Sequence, residues 1–292
     1  MSKSFYLLLL LISLLFTACS PTPPIAPPTK QTPKSKPKIA IAFGGGAAKG
    51  FAHIGVIKVL EQNGIRPDII TGTSAGAVIG SLYASGLSPI EIQQKAMSLK
   101  ENQLTDFTLS TAGIIKGEVL QAFINHEVQQ RPIEKLPIHF GAVSTNKESG
   151  EAIVFRSGNT GQAVRASASI PNVFLPVKIG NSNYVDGGLV QPVPVEAAKN
   201  MGADIIIAID ISTKPTNGNK GFWATLDQSF SIMNQAALDK QLKMATIVIQ
   251  PEINTLSSVL FEQRHQAILE GEKAALASLP KIKKVISEAY LQ

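Results

Sequence analysis

The chain is short of the residues that cross-link a fold or gather metals. It has 1 cysteine in 292 residues, so no disulfide can close within it, and zinc sites built from several thiolates are excluded. Charged residues make up 16%, against roughly 25% in an average globular domain. The first 38 residues contain no acid at all, only Lys3, Lys30, Lys34, Lys36 and Lys38. The 254 residues after them hold 22 basic and 21 acidic side chains. The formal charge of +6 therefore belongs mostly to the N-terminal segment. Nucleic-acid binding needs lysine and arginine clustered on the folded domain, so no nucleic acid is expected as a partner. No apolar run reaches the roughly 20 residues that a helix needs to span a bilayer. The 23 glycines follow no three-residue period, which excludes collagen. An apolar content of 44% excludes wholesale disorder and leaves material for one large domain over residues 38–292.

The longest apolar run is Phe5 to Phe16, interrupted by Ser13. Twelve residues after a single lysine fit the core of a signal peptide of about 7 to 15 residues. Thr17-Ala18 and then Cys19 follow. The arrangement resembles a bacterial lipoprotein signal over residues 1–18, in which Cys19 is lipidated and becomes the new N-terminus. Phe16 departs from that pattern, which favours a smaller aliphatic residue there. Residues 20 to 38 hold seven of the 18 prolines, so residues 19–37 read as an extended, semi-rigid spacer. Its lysines add attraction to anionic headgroups. Ser20 after the cysteine implies, by the same resemblance, an outer-membrane destination in a Gram-negative cell envelope.

The remainder alternates between strand and helix signals. Strands are expected at Lys38–Phe43, Pro67–Thr71, Ile138–Ser144, Ala152–Phe155, Asp204–Ile211 and Thr246–Gln250, with another ending at Tyr184-Val185. Helices are expected at Phe51–Gln62, Ala75–Ala84, from Pro89 behind a Ser88 cap, Gly117–Val128, Pro194–Asn200, Ala224–Leu242 and Ser257–Leu279. Residues 215–221 read as a polar loop. Several strands are apolar throughout. The expected class is α/β, a mainly parallel central sheet flanked by helices on both faces.

Three small clusters carry chemistry. In Gly72-Thr-Ser74-Ala-Gly76 a serine lies between a strand and a helix, the context that gives G-x-S-x-G its meaning. Small neighbours at Gly72 and Gly76 let the turn close, and the helix N-terminus favours an alkoxide. Gly44-Gly45-Gly46-Ala-Ala-Lys49-Gly50 follows the first strand and can present backbone N–H groups to an anion. It is not a P-loop, because Gly50 stands where that loop needs a hydroxyl. It is not a dinucleotide fingerprint, because Lys49 stands at the third glycine. An oxyanion hole from Gly44, Gly45 and Gly46 remains. Asp186-Gly187-Gly188 leaves a carboxylate at a turn, which alone signals little more than the turn.

Together the three clusters resemble the patatin-like phospholipase family over about residues 38 to 211. Phe51-Ala-His-Ile-Gly55, Ala166-Ser-Ala-Ser169-Ile-Pro171 and Pro192-Val-Pro194 extend the resemblance. Lys49 departs from it, since arginine is common there. The resemblance implies a three-layer α/β/α fold and a Ser-Asp dyad, with Ser74 as nucleophile and Asp186 as base. It implies no metal or organic cofactor, and a phospholipid, lysophospholipid or other fatty-acyl ester as substrate. A Ser-His-Asp triad of the α/β-hydrolase order would need a histidine after the acid. Only His265 follows Asp186, in a polar helical stretch, and His53 reads as packed. An ordinary aspartate, near 3.9, is a weak base for a serine, so the dyad requires a partly desolvated site. An acyltransferase working through the same acyl-enzyme and a non-catalytic lipid-binding lipoprotein are the alternatives. Phe222, Trp223, Leu226, Phe230, Ile232 and Met233 are expected to pack on the core, with a helix over the cleft or against a membrane as the other reading.

Overall fold

A computed structural model describes residues 36–99, 106–108, 110, 113–212, 222–254, 256 and 261–291. The expected signal, Cys19, nearly all of the spacer and the loop at 215–221 lie outside the described residues. The chain divides at residue 36, and Pro37–Gln292 forms the larger compact unit.

Its centre is one sheet in the order β5-β6-β3-β2-β1-β7-β8, with β4 also paired to β3. The strands are β1 (Ile39–Phe43), β2 (Ile69–Thr73), β3 (His139–Asn146), β4 (Ala152–Phe155), β5 (Val177–Ile179), β6 (Ser182–Asp186), β7 (Ile205–Ile209) and β8 (Ile247–Ile249). Every residue of β1, β2 and β7 is buried, as expected of strands with helices on both faces. Their alternation sorts two cores. Ile39, Ile41 and Phe43 face a larger cluster with Ile54, Ile57, Leu60 and Ile268. Ala40 and Ala42 face a smaller one with Val195, Ala198 and Leu238.

The helices are α1 (Ala52–Gln62), α2 (Ala75–Ala84), α3 (Pro89–Ser98), α4 (Glu118–Glu127), α5 (Thr160–Ser167), α6 (Val195–Asn200), α7 (Phe222–Met244) and α8 (Arg264–Leu291). Ser88 and Glu91 form a reciprocal capping box at the start of α3, which satisfies two otherwise orphan amides. Helix α5 has no counterpart among the helices expected from the sequence. Its TGQAVRAS run is short and small-residued, and the side chain of Asn159 caps it by accepting from Gln162 N–H at 2.7 Å.

The sheet is mainly parallel, as expected, with an antiparallel end. β1 pairs in parallel with β2 and β7, β2 with β3, and β7 with β8, whereas β4 and β6 run antiparallel to β3. The registers on β3 place the ends of its neighbours. β2 pairs with residues 139–143 of β3, β4 with 142–145 and β6 with 144–146. The overlaps put β4 on one edge of β3, and β2 and β6 end to end on the other. Thr73 sits opposite Val143 and Asp186 opposite Ser144. The C-terminal ends of β2 and β6 therefore meet head-on.

The last part of the chain carries no motif, yet it braces the sheet and α1. β8 extends the sheet beyond β7. Helix α8 crosses α1 where both are glycine. A Cβ at Gly55 would run into Ile268 O, and one at Gly271 into Ala52 O. Lys58 pairs with Glu272 across the same crossing at 2.7 Å. Arg264 donates to the carbonyls of Ala96, Met97 and Leu99, closing the C-terminus of α3. The sequence pattern ends this helix at Leu279 because Pro280 comes next. The helix instead passes through Pro280. Ile282 is fully buried and Val285 and Ile286 pack on the core, so burial outweighs the lost amide bond. Among the described residues no helix is long and apolar enough to cross a membrane.

Candidate active site

Ser74 follows β2 directly and occupies the N-cap of α2 at φ 54°, ψ −122°. A non-glycine residue at positive φ is strained and persists only where its surroundings fix it. Two glycines allow the turn. A Cβ at Gly76 would strike Phe43 O, and one at Gly72 would lie 2.5 Å from Gly76 O. The strand end and the first turn of α2 therefore touch backbone to backbone. Ser74 is 7% exposed and Asp186 5%.

The head-on meeting of β2 and β6 brings the two side chains together. The Asp186 carboxylate lies beside the Ser74 hydroxyl and accepts from Gly188 N–H at 2.7 Å. Its backbone is held on both sides. Its N–H donates to Ser169 O at 2.9 Å, and its carbonyl accepts from Thr145 Oγ1 at 2.8 Å. Burial pushes the carboxyl up to about 6, and the Gly188 N–H and the neighbouring Ser74 hydroxyl offset only part of that rise. Desolvation disfavours the charged form, so this carboxylate is a better base than an exposed aspartate.

The amides of the glycine loop differ in what they bond to within the fold. Gly44 N–H donates to Ile209 O at 3.0 Å and Gly45 N–H to Pro192 O at 2.9 Å. Those two amides complete the packing of the loop against β7 and the 186–194 segment. Gly46 N–H donates to no described residue. The first-turn amides of α2 at Ala75 and Gly76 have no intrahelical partner, and the Ser74 side chain does not cap them. The amides left open here are thus those of Gly46 and the first turn of α2, while those of Gly44 and Gly45 are bonded within the fold. Gly50 allows the loop to lie against α2, since a Cβ there would meet Ala75 Cβ at 2.7 Å. At Gly187 a Cβ would strike Val143 O, and at Gly188 one would lie 3.0 Å from the Asp186 carboxylate.

A cleft of about 790 Å3, its open mouth included, holds these groups. Gly45, Gly46, Lys49, Ser74, Asp186 and Gly188 form its polar floor, with Ile170, Leu189, Pro192 and Ile211 as apolar walls. Lys49 is 2% exposed. The far wall is α7, through Phe230, Ser231, Asn234, Gln235 and Leu238. This corrects the expectation of core packing. Ile232 and Met233 are 60% and 72% exposed, and Phe230 lines the cleft. The side chains of Phe222, Trp223 and Leu226 lie outside the described residues.

No histidine lines the cleft among the described residues. His53 is fully buried on α1, donates through Nε2 to Gly44 O at 2.8 Å and meets the Phe43 ring edge-on. Burial lowers it to about 4, so it is neutral and serves to hold the loop. His265 is exposed on α8.

One contributor is not singled out by the sequence. Ser167 Oγ accepts from Ser74 N–H at 3.0 Å and donates to Val143 O at 2.5 Å. Its signal is present in the Ala166–Pro171 block, but nothing in the sequence says which of that block's serines turns inward.

Residues 41–199 match the family model described as patatin-like phospholipase. An uncharacterized NTE family protein of Mycobacterium tuberculosis is 36% identical over 181 residues, covering 61% of this chain and 50% of that protein. Lysophospholipase nte1 of Emericella nidulans is 32% identical over 203 residues, covering 68% of this chain and 13% of that protein. The chain spans half or less of the length of these curated relatives. In solved structures the fold is similar to VipD from Legionella pneumophila, with a TM-score of 0.59 at 15% identity, over 85% of this chain and 67% of that one. Helices α7 and α8 and strand β8 lie beyond the residues that match the family model.

Proposed function

The chain belongs to the patatin-like phospholipase family, and from that premise we propose that it is a serine-dependent lipid acyl hydrolase of phospholipase A or lysophospholipase type. The observation that carries this reading is Ser74 beside a buried Asp186 raised to about 6, both at the floor of a cleft with apolar walls. Ser74 Oγ attacks the ester carbonyl as its proton passes to Asp186. The developing oxyanion lies against Gly46 N–H and the α2 N-terminus. Such donors are worth about 2.7 to 4 kcal/mol each when aimed at the transition state. The proton then goes to the leaving alcohol. Water, deprotonated by Asp186, attacks the acyl-enzyme and releases the fatty acid. The apolar walls at Ile170, Leu189, Ile211 and Phe230 suit an acyl chain.

The test uses defined phospholipids, lysophospholipids and p-nitrophenyl esters, with labelling by a fluorophosphonate probe. Ser74→Ala abolishes both turnover and labelling, Asp186→Asn abolishes turnover, and His265→Ala leaves both intact. Full turnover in Ser74→Ala would overturn the assignment. We further propose that Cys19 carries the lipid that holds the domain at the outer membrane of a Gram-negative envelope, behind a proline-rich spacer.

A further inference from the structure

We propose that Ser167 is a positioning residue for this reaction, setting the distance between Ser74 and Asp186 from behind the nucleophile. The inference rests on reading those two residues as the reacting pair.

The geometry comes from two strands that do not bond to one another. Ser74 hangs on the end of β2 and Asp186 on the end of β6. Both strands take their place from the same edge of β3, at Val143 and Ser144. Ladder bonds fix the strands, but Ser74 lies one residue past the last paired position and at a strained φ. Nothing in the ladder holds it. Ser167 supplies the missing tie. Its hydroxyl accepts from Ser74 N–H and donates to Val143 O, so it connects the nucleophile's backbone to the strand that also sets Asp186. It is fully buried.

Two residues on, the same segment holds the other partner. Ser169 O accepts from Asp186 N–H, and Ser169 Oγ anchors to Arg165 O at 2.8 Å. Residues 167 to 169 therefore grip the backbone N–H of both reacting residues. One hand is a side chain and the other a main-chain carbonyl, so only the first can be removed by substitution. Ser167 touches neither substrate nor the reacting oxygen. Its effect reaches the reaction through where Ser74 stands.

Ser167→Ala removes one hydroxyl and leaves the Ser74 amide and the Val143 carbonyl without their partner. A misplacement on the order of 1 Å costs about 100-fold in rate. The expected result is a fall in kcat of about 10- to 100-fold per active site titrated with a fluorophosphonate, with KM within about twofold of wild type. The rate of probe labelling falls in parallel while its final amplitude stays full. Ser167→Thr, which keeps the hydroxyl, recovers most of the loss. The acid limb of the pH–rate profile moves little, because burial, the main cause of the raised Asp186 carboxyl, is unchanged.

The inference is overturned if titrated Ser167→Ala turns over at the wild-type rate. It is equally overturned if the loss merely tracks a smaller labelled fraction, which is what a purely structural role gives. If the alanine variant does not fold, Ser167→Cys keeps the shape with a much weaker donor, and an unchanged titrated kcat there overturns the proposal. Turnover that survives in Ser74→Ala would instead sink the underlying assignment. A dead Ser74→Ala beside a normal Ser167→Ala would sink only this inference.

Discussion

Replacing Asp186 by asparagine should make the protein inactive and, at neutral pH, more stable. The carboxyl is 5% exposed and burial raises it from its ordinary 3.8 to about 6. Between those values the folded state holds the proton more tightly than the unfolded chain does. The carboxyl's contribution to stability is therefore full below about pH 4 and is lost as pH rises through 6. At about 1.4 kcal/mol per pH unit, the wild type carries a penalty of about 3 kcal/mol at pH 7 and above. Asparagine has the same shape and no charge. Its oxygen can still accept from Gly188 N–H, and its amide can donate to Ser74 Oγ, so neither neighbour is orphaned. For a domain of this size each kcal/mol moves Tm by about 2 to 4 °C, giving a gain of about 6 to 12 °C at pH 8. The assay is paired urea or thermal melts of Asp186→Asn and wild type from pH 4 to pH 8, with ester hydrolysis measured alongside. The difference should be near zero at pH 4, grow through pH 5 and 6, and level off above 7. A difference that does not depend on pH, or one that favours the wild type at pH 8, would refute the reasoning.

Other parts of the molecule yield outcomes of their own. Gly271→Ala drives a methyl into the Ala52 carbonyl at the α1–α8 crossing and should cost about 1 to 3 kcal/mol, the usual range for overpacking, read as a lower urea midpoint with an unchanged slope. Since α1 leads directly out of the glycine loop, turnover should fall with it, whereas Gly64→Ala, at a site with open space around it but positive φ, should cost about 1 kcal/mol and leave turnover unchanged. Cys19→Ser should abolish incorporation of labelled palmitate and release the protein from the membrane fraction, and retention of both would remove the proposed anchor.

The ends of regular elements are legible in the sequence where the local chemistry is strong. Ser88-Pro89 with Glu91 marks the start of α3, the run Ile205–Ile209 marks a central strand, and Gly72 and Gly76 flag the turn at Ser74. The sequence is less informative where structure depends on distant partners. Helix α5 is too short and too rich in small residues to stand out. Pro280 reads as a stop and is overridden by the burial of Ile282. Phe230, Ile232 and Met233 look like core residues, yet one lines the cleft and two are exposed, because which side of α7 faces inward is set by the rest of the fold.

The same division holds for the site. Residue types and spacing are enough to single out Ser74, Asp186 and the glycine loop, because a strand-to-helix turn and an anion-binding loop are local devices that need particular small residues in order. Their joint working depends on contacts between residues far apart in the chain. The end-to-end seating of β2 and β6 on one edge of β3 brings Ser74 against Asp186, although the two are far apart in sequence. Burial by that seating raises the carboxyl to about 6. The backbone bonds of Gly44 and Gly45 to Ile209 and Pro192 decide which amides of the loop stay open, and the fold alone turns Ser167 inward behind Ser74. A sequence lists the donors and acids a chain owns, but desolvation and hydrogen-bond partnership are properties of what surrounds them.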